Sequence, residues 1–192
     1  MSLKSLDIVI SLKLVMLGER RWSFSSLAND LFISPSVLYQ GINRAVESRL
    51  LNPITRKPRK RSLEEFLIHG VKYVFPPKRG GLVRGIPTSY AVAPLNSEII
   101  QSTEHPPVWP YEHGNVRGYE FSPLHQCVPM AAERDPKLYE LLALLDAIRG
   151  GRARESSIAI IKIRERLSLI TSRQVTKEKL EKLELDMQFV SQ

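Results

Sequence analysis

A single cysteine, Cys127, in 192 residues leaves no intramolecular disulfide and no multi-cysteine metal cluster. Such cysteine usage fits a reducing compartment, and a cytoplasmic location is expected. Nor does any apolar run reach the roughly 18 residues of a membrane span. The amino-terminal stretch MSLKSLDIVISLKLVMLG carries Asp7 and Lys13 where a secretory signal would be uniformly apolar, so it is expected to be an amphipathic helix, with no membrane partner. The glycines between Gly80 and Gly85 lack the GxxxxGK[ST] order of a phosphate-binding loop, which speaks against a nucleotide site. No GxSxG, HExxH or paired-carboxylate pattern occurs, so no catalytic residue is assigned and the chain is not expected to be an enzyme. His125 and Cys127 form one His-x-Cys pair without a second pair beside it, and neither a metal nor a cofactor is expected.

What the chain has is positive charge, and its placement is uneven. The net charge is +8. Residues 1–95 hold 15 Lys or Arg against 6 Asp or Glu, a balance of +9, whereas residues 96–192 hold 13 against 14, a balance of −1. A cationic half in front of a near-neutral half implies an electrostatic binding surface, with a polyanion as its natural partner.

Hydrophobic spacing and capping residues give the expected elements. Leu6, Val9, Ile10, Lys13, Leu14 and Leu17 share one face of a first helix that Gly18 stops. Ser23 opens a second helix through Leu31, and Ser34-Pro35-Ser36 opens a third that runs to about Leu50, with Leu38, Ile42, Ala45 and Val46 inward. Asn52-Pro53 ends it, and the ITRKPRKRS that follows is a loop. A helix from Ser62 and one or two short strands within 71–95 are expected next. Residues 96–134, with five prolines up to Pro129 and no sustained period, read as a linker. Asp135-Pro136 caps a strongly helical segment ending near Gly150-Gly151, a second helix follows from Arg152, and 176–190 has the pattern of an amphipathic tail helix. The expected fold class is therefore mainly α with a small β component. It divides into a cationic domain over 1–95, the linker over 96–134 and a helical assembly or partner-binding region over 135–192.

Residues 22–51, WSFSSLANDLFISPSVLYQGINRAVESRLL, carry the most information. Leu27-Ala28 opens a supporting helix, Leu31 and Ile33 bracket a turn, Ser34-Pro35-Ser36 starts the next helix, and Gly41 is small where helices approach. The bland alternative is an ordinary pair of packed helices. In this register Ser34, Ser36, Val37, Tyr39, Gln40, Asn43 and Arg44 point outward. Gln and Asn match adenine edges, Arg matches guanine or phosphate, and Ser and Tyr suit either contact. The segment resembles the helix-turn-helix of bacterial winged-helix regulators of the MarR-like group. That resemblance implies a winged helix-turn-helix fold, a recognition helix in the major groove of double-stranded DNA, regulation of transcription and a homodimer on two half-sites. Phe32 stands where such regulators usually carry glycine, because the backbone there prefers a left-handed conformation; its ring is expected to fill the core.

Two basic turns flank this motif. Arg56, Lys57, Arg59, Lys60 and Arg61 follow the third helix directly, where phosphate contacts are natural, and Lys78, Arg79 and Arg84 surround the glycines further on. Either turn suits the wing, and the sequence leaves the choice open. A second resemblance bears on the later chain. GVKYVFPPKRGGLVRGIPTSYAVAPL and LLALLDAIRGGRARE look like winged-helix partners of bacterial nucleotidyltransferase-type toxins, which implies an antitoxin that neutralises its partner toxin by contact and regulates its own operon. An adaptor that holds nucleic acid with little sequence preference is the third possibility.

Overall fold

Lys4 is extended, and its backbone N–H donates to the Asp7 carboxylate at 2.8 Å, which fixes the first turn of helix α1 (Ser5–Leu17). In the computed structural model, which describes residues 2–99 and 105–168, this helix is central rather than amphipathic. Every residue from Leu6 to Val15 is buried, because α1 packs against both α3 (Pro35–Glu47) and α7 (Pro136–Gly150). The three polar residues caught inside it each find partners. Ser11 donates to the Asp7 carbonyl at 2.7 Å, Asp7 pairs with Arg44, and Lys13 reaches Asp135 at 2.8 Å and Asp30 at 3.2 Å. Burial alone would raise the Asp135 carboxyl, but the Lys13 ammonium and the N–H groups of Leu138 and Lys137 together hold it below the usual carboxylate range.

Helix α2 (Phe24–Asp30) starts with reciprocal bonds between Ser23 and Ser26, at 3.1 Å to the Ser23 hydroxyl and 3.0 Å to that of Ser26. It ends in a Schellman motif: Phe32 takes φ 53°, its N–H donates to the Asn29 carbonyl at 3.2 Å, and the Ile33 N–H donates to that of Ala28 at 3.0 Å. The left-handed backbone at Phe32 is as expected, but its ring is not in the core. It is 42% exposed, with the Arg134 guanidinium 4.3 Å above it. Helix α3 ends the same way, with Arg49 at φ 60° and the Leu50 N–H on the Ala45 carbonyl at 2.9 Å.

After α3 the chain makes a small closed turn, then α4 (Lys60–Glu65), a π-helical turn over Phe66–Gly70 and α5 (Val71–Val74). The helix thus begins two residues before Ser62 and claims the start of the stretch expected to be strand. Strand β1 (Arg79–Pro87) follows, and its partners β2 (Pro107–Pro110) and β3 (Val116–Phe121) come from the segment read as a linker. β1 is antiparallel to both, β2 and β3 are parallel to each other, and the three close on themselves. Gly85 is required at this closure, because a Cβ there would collide with the Trp109 carbonyl.

The 96–134 segment also supplies α6 (Val128–Arg134), and Val108, Trp109, Phe121, Leu124 and Val128 are buried in it. Its prolines are tolerated because Pro106, Pro107 and Pro110 sit at or beside the ends of β2 and Pro129 in the first turn of α6, where no ladder or helix bond is lost, while Pro123 lies between β3 and α6. Asp135 caps α7 as expected, accepting from Lys137 and Leu138 at 3.1 and 3.2 Å. A further helix over 153–168, α8, is tied back to α7 by Arg166 donating to Glu140 at 2.6 Å. The expected tail helix over 176–190 lies outside the described residues. One hydrophobic cluster runs from Leu6 to Leu167, so the expected boundaries near 95 and 134 fall inside a shared core. The chain is mainly α with a small three-stranded sheet, and no helix among the described residues is long and apolar enough to cross a membrane.

Candidate nucleic-acid interface

Helix α3 is set by one close approach and one ion pair. A Cβ on Gly41 would run into Ile10 of α1, so the two helices cross closely there, and Gly41 serves α1 rather than α2. One turn on, Arg44 Nε and Nη2 donate to the two carboxylate oxygens of Asp7 at 2.9 and 2.6 Å. Arg44 is 5% exposed and Asp7 fully buried, so Arg44 does not face outward as its place in the sequence suggested. Hydrogen bonding to Asp7 raises its pKa still further, which fixes the cation in the pair. Arg44 positions the helix and is unavailable to a partner.

The other residues expected outward fall into two groups. Ser34, Ser36, Val37, Tyr39 and Gln40 are exposed along the first two turns of α3. The Ser34 hydroxyl is occupied as the cap, accepting the Val37 N–H at 3.2 Å. Tyr39, 53% exposed, stands 5.9 Å from the Phe24 ring, which is itself 5.4 Å from Trp22. This aromatic run along the flank of α3 was not singled out in the sequence, although Trp22, Phe24 and Tyr39 all lie inside the motif. Asn43 is half-buried, and its carboxamide oxygen accepts from Arg56 at 3.0 Å.

That bond ties α3 to the first basic turn. A bridge between Leu51 and Pro58 closes the turn, with the Asn52 N–H on the Lys57 carbonyl at 2.8 Å. The Asn52 side chain accepts from the N–H groups of Ile54 and Thr55 at 2.9 and 3.0 Å, and Arg56 takes φ 58°. Lys57 reaches Glu19 at 2.5 Å in an exposed pair. Desolvation lowers the Lys60 ammonium, opposed by Glu19. Arg59 and Arg61 are exposed, and neither forms an ion pair with another described residue.

The second basic turn belongs to the sheet. The Lys78 backbone pairs with Ser122, Arg79 donates to the Gly150 carbonyl and lies over the Phe121 ring, and Arg84 is exposed in mid-strand. β1 packs on β2 and β3, whereas α3 packs on α1 and α2, so the two basic turns sit on different elements. His125 and Cys127 are engaged locally, the Cys127 N–H donating to His125 Nδ1 at 3.2 Å. Burial pushes the Cys127 thiol up to about 12. The native protein is therefore expected to resist a maleimide at neutral pH and to take up one equivalent in denaturant, followed by mass spectrometry; prompt labelling of the native chain would contradict this burial.

Comparison with known proteins returns nothing: no family model, no curated protein and no solved structure matches the chain.

Proposed function

We propose that the chain is a winged helix-turn-helix regulator of transcription, similar to the MarR-like group, that reads double-stranded DNA with α3 and uses the turn at 51–58 as its wing. The observation that carries this reading is the pairing of an exposed polar helix start with a cationic turn held beside it. Ser36, Val37, Tyr39 and Gln40 face solvent on α3, and Arg56 donates to Asn43 on the same helix. Inserted in a major groove, Gln40 would meet base edges, while the turn and Arg59 and Arg61 would meet phosphates. The turn at 51–58 is favoured as the wing over the one around Gly80 because it follows α3 directly and is bonded to it.

Selection of bound sequences from a random duplex pool tests this. The wild-type chain is expected to enrich a defined site. Gln40→Ala is expected to relax preference at one or two base pairs by about 1–3 kcal/mol. Arg59→Ala with Arg61→Ala should weaken every duplex alike and flatten the dependence of log affinity on log salt by roughly 0.9 per phosphate lost. No enrichment by the wild type, or the same site enriched at equal strength by Gln40→Ala, would sink readout by this helix.

A further inference from the structure

Strands β1 and β3 pair with Leu82 opposite Tyr119 and Arg84 opposite Arg117. Strand alternation places these four side chains on one face, and all four are exposed, Leu82 at 40% and Tyr119 at 51%. The intervening Val83 and Gly118 turn inward. Two arginines directly opposite one another repel, and neither forms an ion pair with any described residue. Neither nearby carboxylate pairs with them: Glu112 lies exposed on the turn after β2, beside His113, and Glu120 alternates to the other face, against Gly80. A depression of about 360 Å³ lies at the pair, lined by Leu82, Val83, Arg84, Asn115, Val116 and Arg117. Beside it His105 stands edge-on to the Tyr119 ring at 5.9 Å.

We propose that this sheet face is a second nucleic-acid surface, separate from α3, that holds a single strand by phosphates on Arg84 and Arg117 and by a base stacked on Tyr119. Two exposed arginines at directly paired positions, with no carboxylate partner among the described residues, match the charge of a phosphodiester backbone. The exposed ring beside them favours an unpaired strand, whose bases are free to stack, over a duplex, whose bases are not. The site joins Arg84 of the second basic turn to Arg117 of the segment expected to be a linker.

Fluorescence anisotropy with a labelled 12-nucleotide single strand and a labelled duplex separates this surface from α3. Replacing both arginines, Arg84→Ala with Arg117→Ala, is expected to weaken single-strand binding at least tenfold and to flatten its salt dependence by about 1.4, at roughly 0.7 per phosphate. Tyr119→Ala should cost on the order of tenfold and Tyr119→Phe little, since stacking needs the ring and not the hydroxyl. Gln40→Ala should leave single-strand affinity unchanged, so failure of either surface is read without the other. Because the arginines repel, the double variant should unfold at or above the wild-type temperature. Unchanged single-strand affinity in the double variant would overturn the proposal. So would a Tyr119→Ala chain that binds as well as wild type, with inorganic polyphosphate competing as strongly as the oligonucleotide, which would mark a bare polyanion surface.

Discussion

Arg44→Ala is expected to destabilise the fold by about 3–5 kcal/mol, because it strands the fully buried Asp7 carboxylate without its counter-charge. For a chain of this size the melting temperature should drop on the order of 10 °C. Asp7 would keep only the Lys4 N–H and lose both guanidinium bonds. Asp7→Ala should cost a comparable amount, since it leaves the guanidinium buried instead. The double variant Asp7→Leu, Arg44→Met should regain most of the loss, because apolar replacement removes the desolvation of both charges along with their attraction. Urea unfolding of the wild type and these three variants ranks their stabilities, and a double variant less stable than either single one would contradict a buried pair. Were Arg44 a DNA contact, as its position in the motif suggested, Arg44→Ala would leave stability intact and weaken only binding.

A loss of similar size is expected for Asp146→Ala. Asp146 is the acceptor on α7 for three donors: the Trp109 indole at 2.6 Å, the Thr88 hydroxyl at 2.8 Å and Arg149 at 2.5 Å. Full burial pushes its carboxyl upward, and Arg149, Trp109 and Thr88 pull against that. Arg149 also donates to the carbonyls of Phe75 and Ser122 at 2.9 and 3.4 Å, so one buried pair joins α7 to the sheet and to the end of α5. Removing the carboxylate leaves a buried cation and an unpaired indole N–H, at a cost of about 3–5 kcal/mol. Thr88→Val deletes one donor to an acceptor that keeps two others and should cost about 1 kcal/mol. The near-UV signal of Trp109 should collapse in Asp146→Ala and survive in Thr88→Val. Equal stabilities for the two variants would contradict a cluster organised on Asp146.

What could be read in advance was local. Ser23, Ser34-Pro35 and Asp135-Pro136 act within one helical turn, so their residues predict the helix starts that the structure contains. The left-handed turn at Phe32 was equally legible, but the position of its ring was not, because Arg134 reaches it from more than a hundred residues away. β2 and β3 escaped notice because four and six residues give little periodicity, and their partner in β1 is distant. One trace was there: Arg117, Gly118, Tyr119 and Glu120 alternate, and that alternation marks the exposed face. Arg44 misled for a related reason. An arginine on a polar helix reads as solvent-facing unless its partner is known, and the partner is an aspartate on the buried helix α1. Asp7 was itself the signal, since a carboxylate amid buried residues demands a cation.

If the start of α3 enters DNA as proposed, a cleavage reagent placed there reports it. With Cys127 buried, Gln40→Cys would be the reactive thiol, and an iron chelate attached there would cut whatever duplex lies within reach. On a duplex carrying the selected site, cuts are expected at that site on both strands, offset across the major groove, while a chelate at Ile161→Cys on α8 should leave the duplex intact. Cleavage no stronger from position 40 than from position 161 would contradict entry of α3 into the groove.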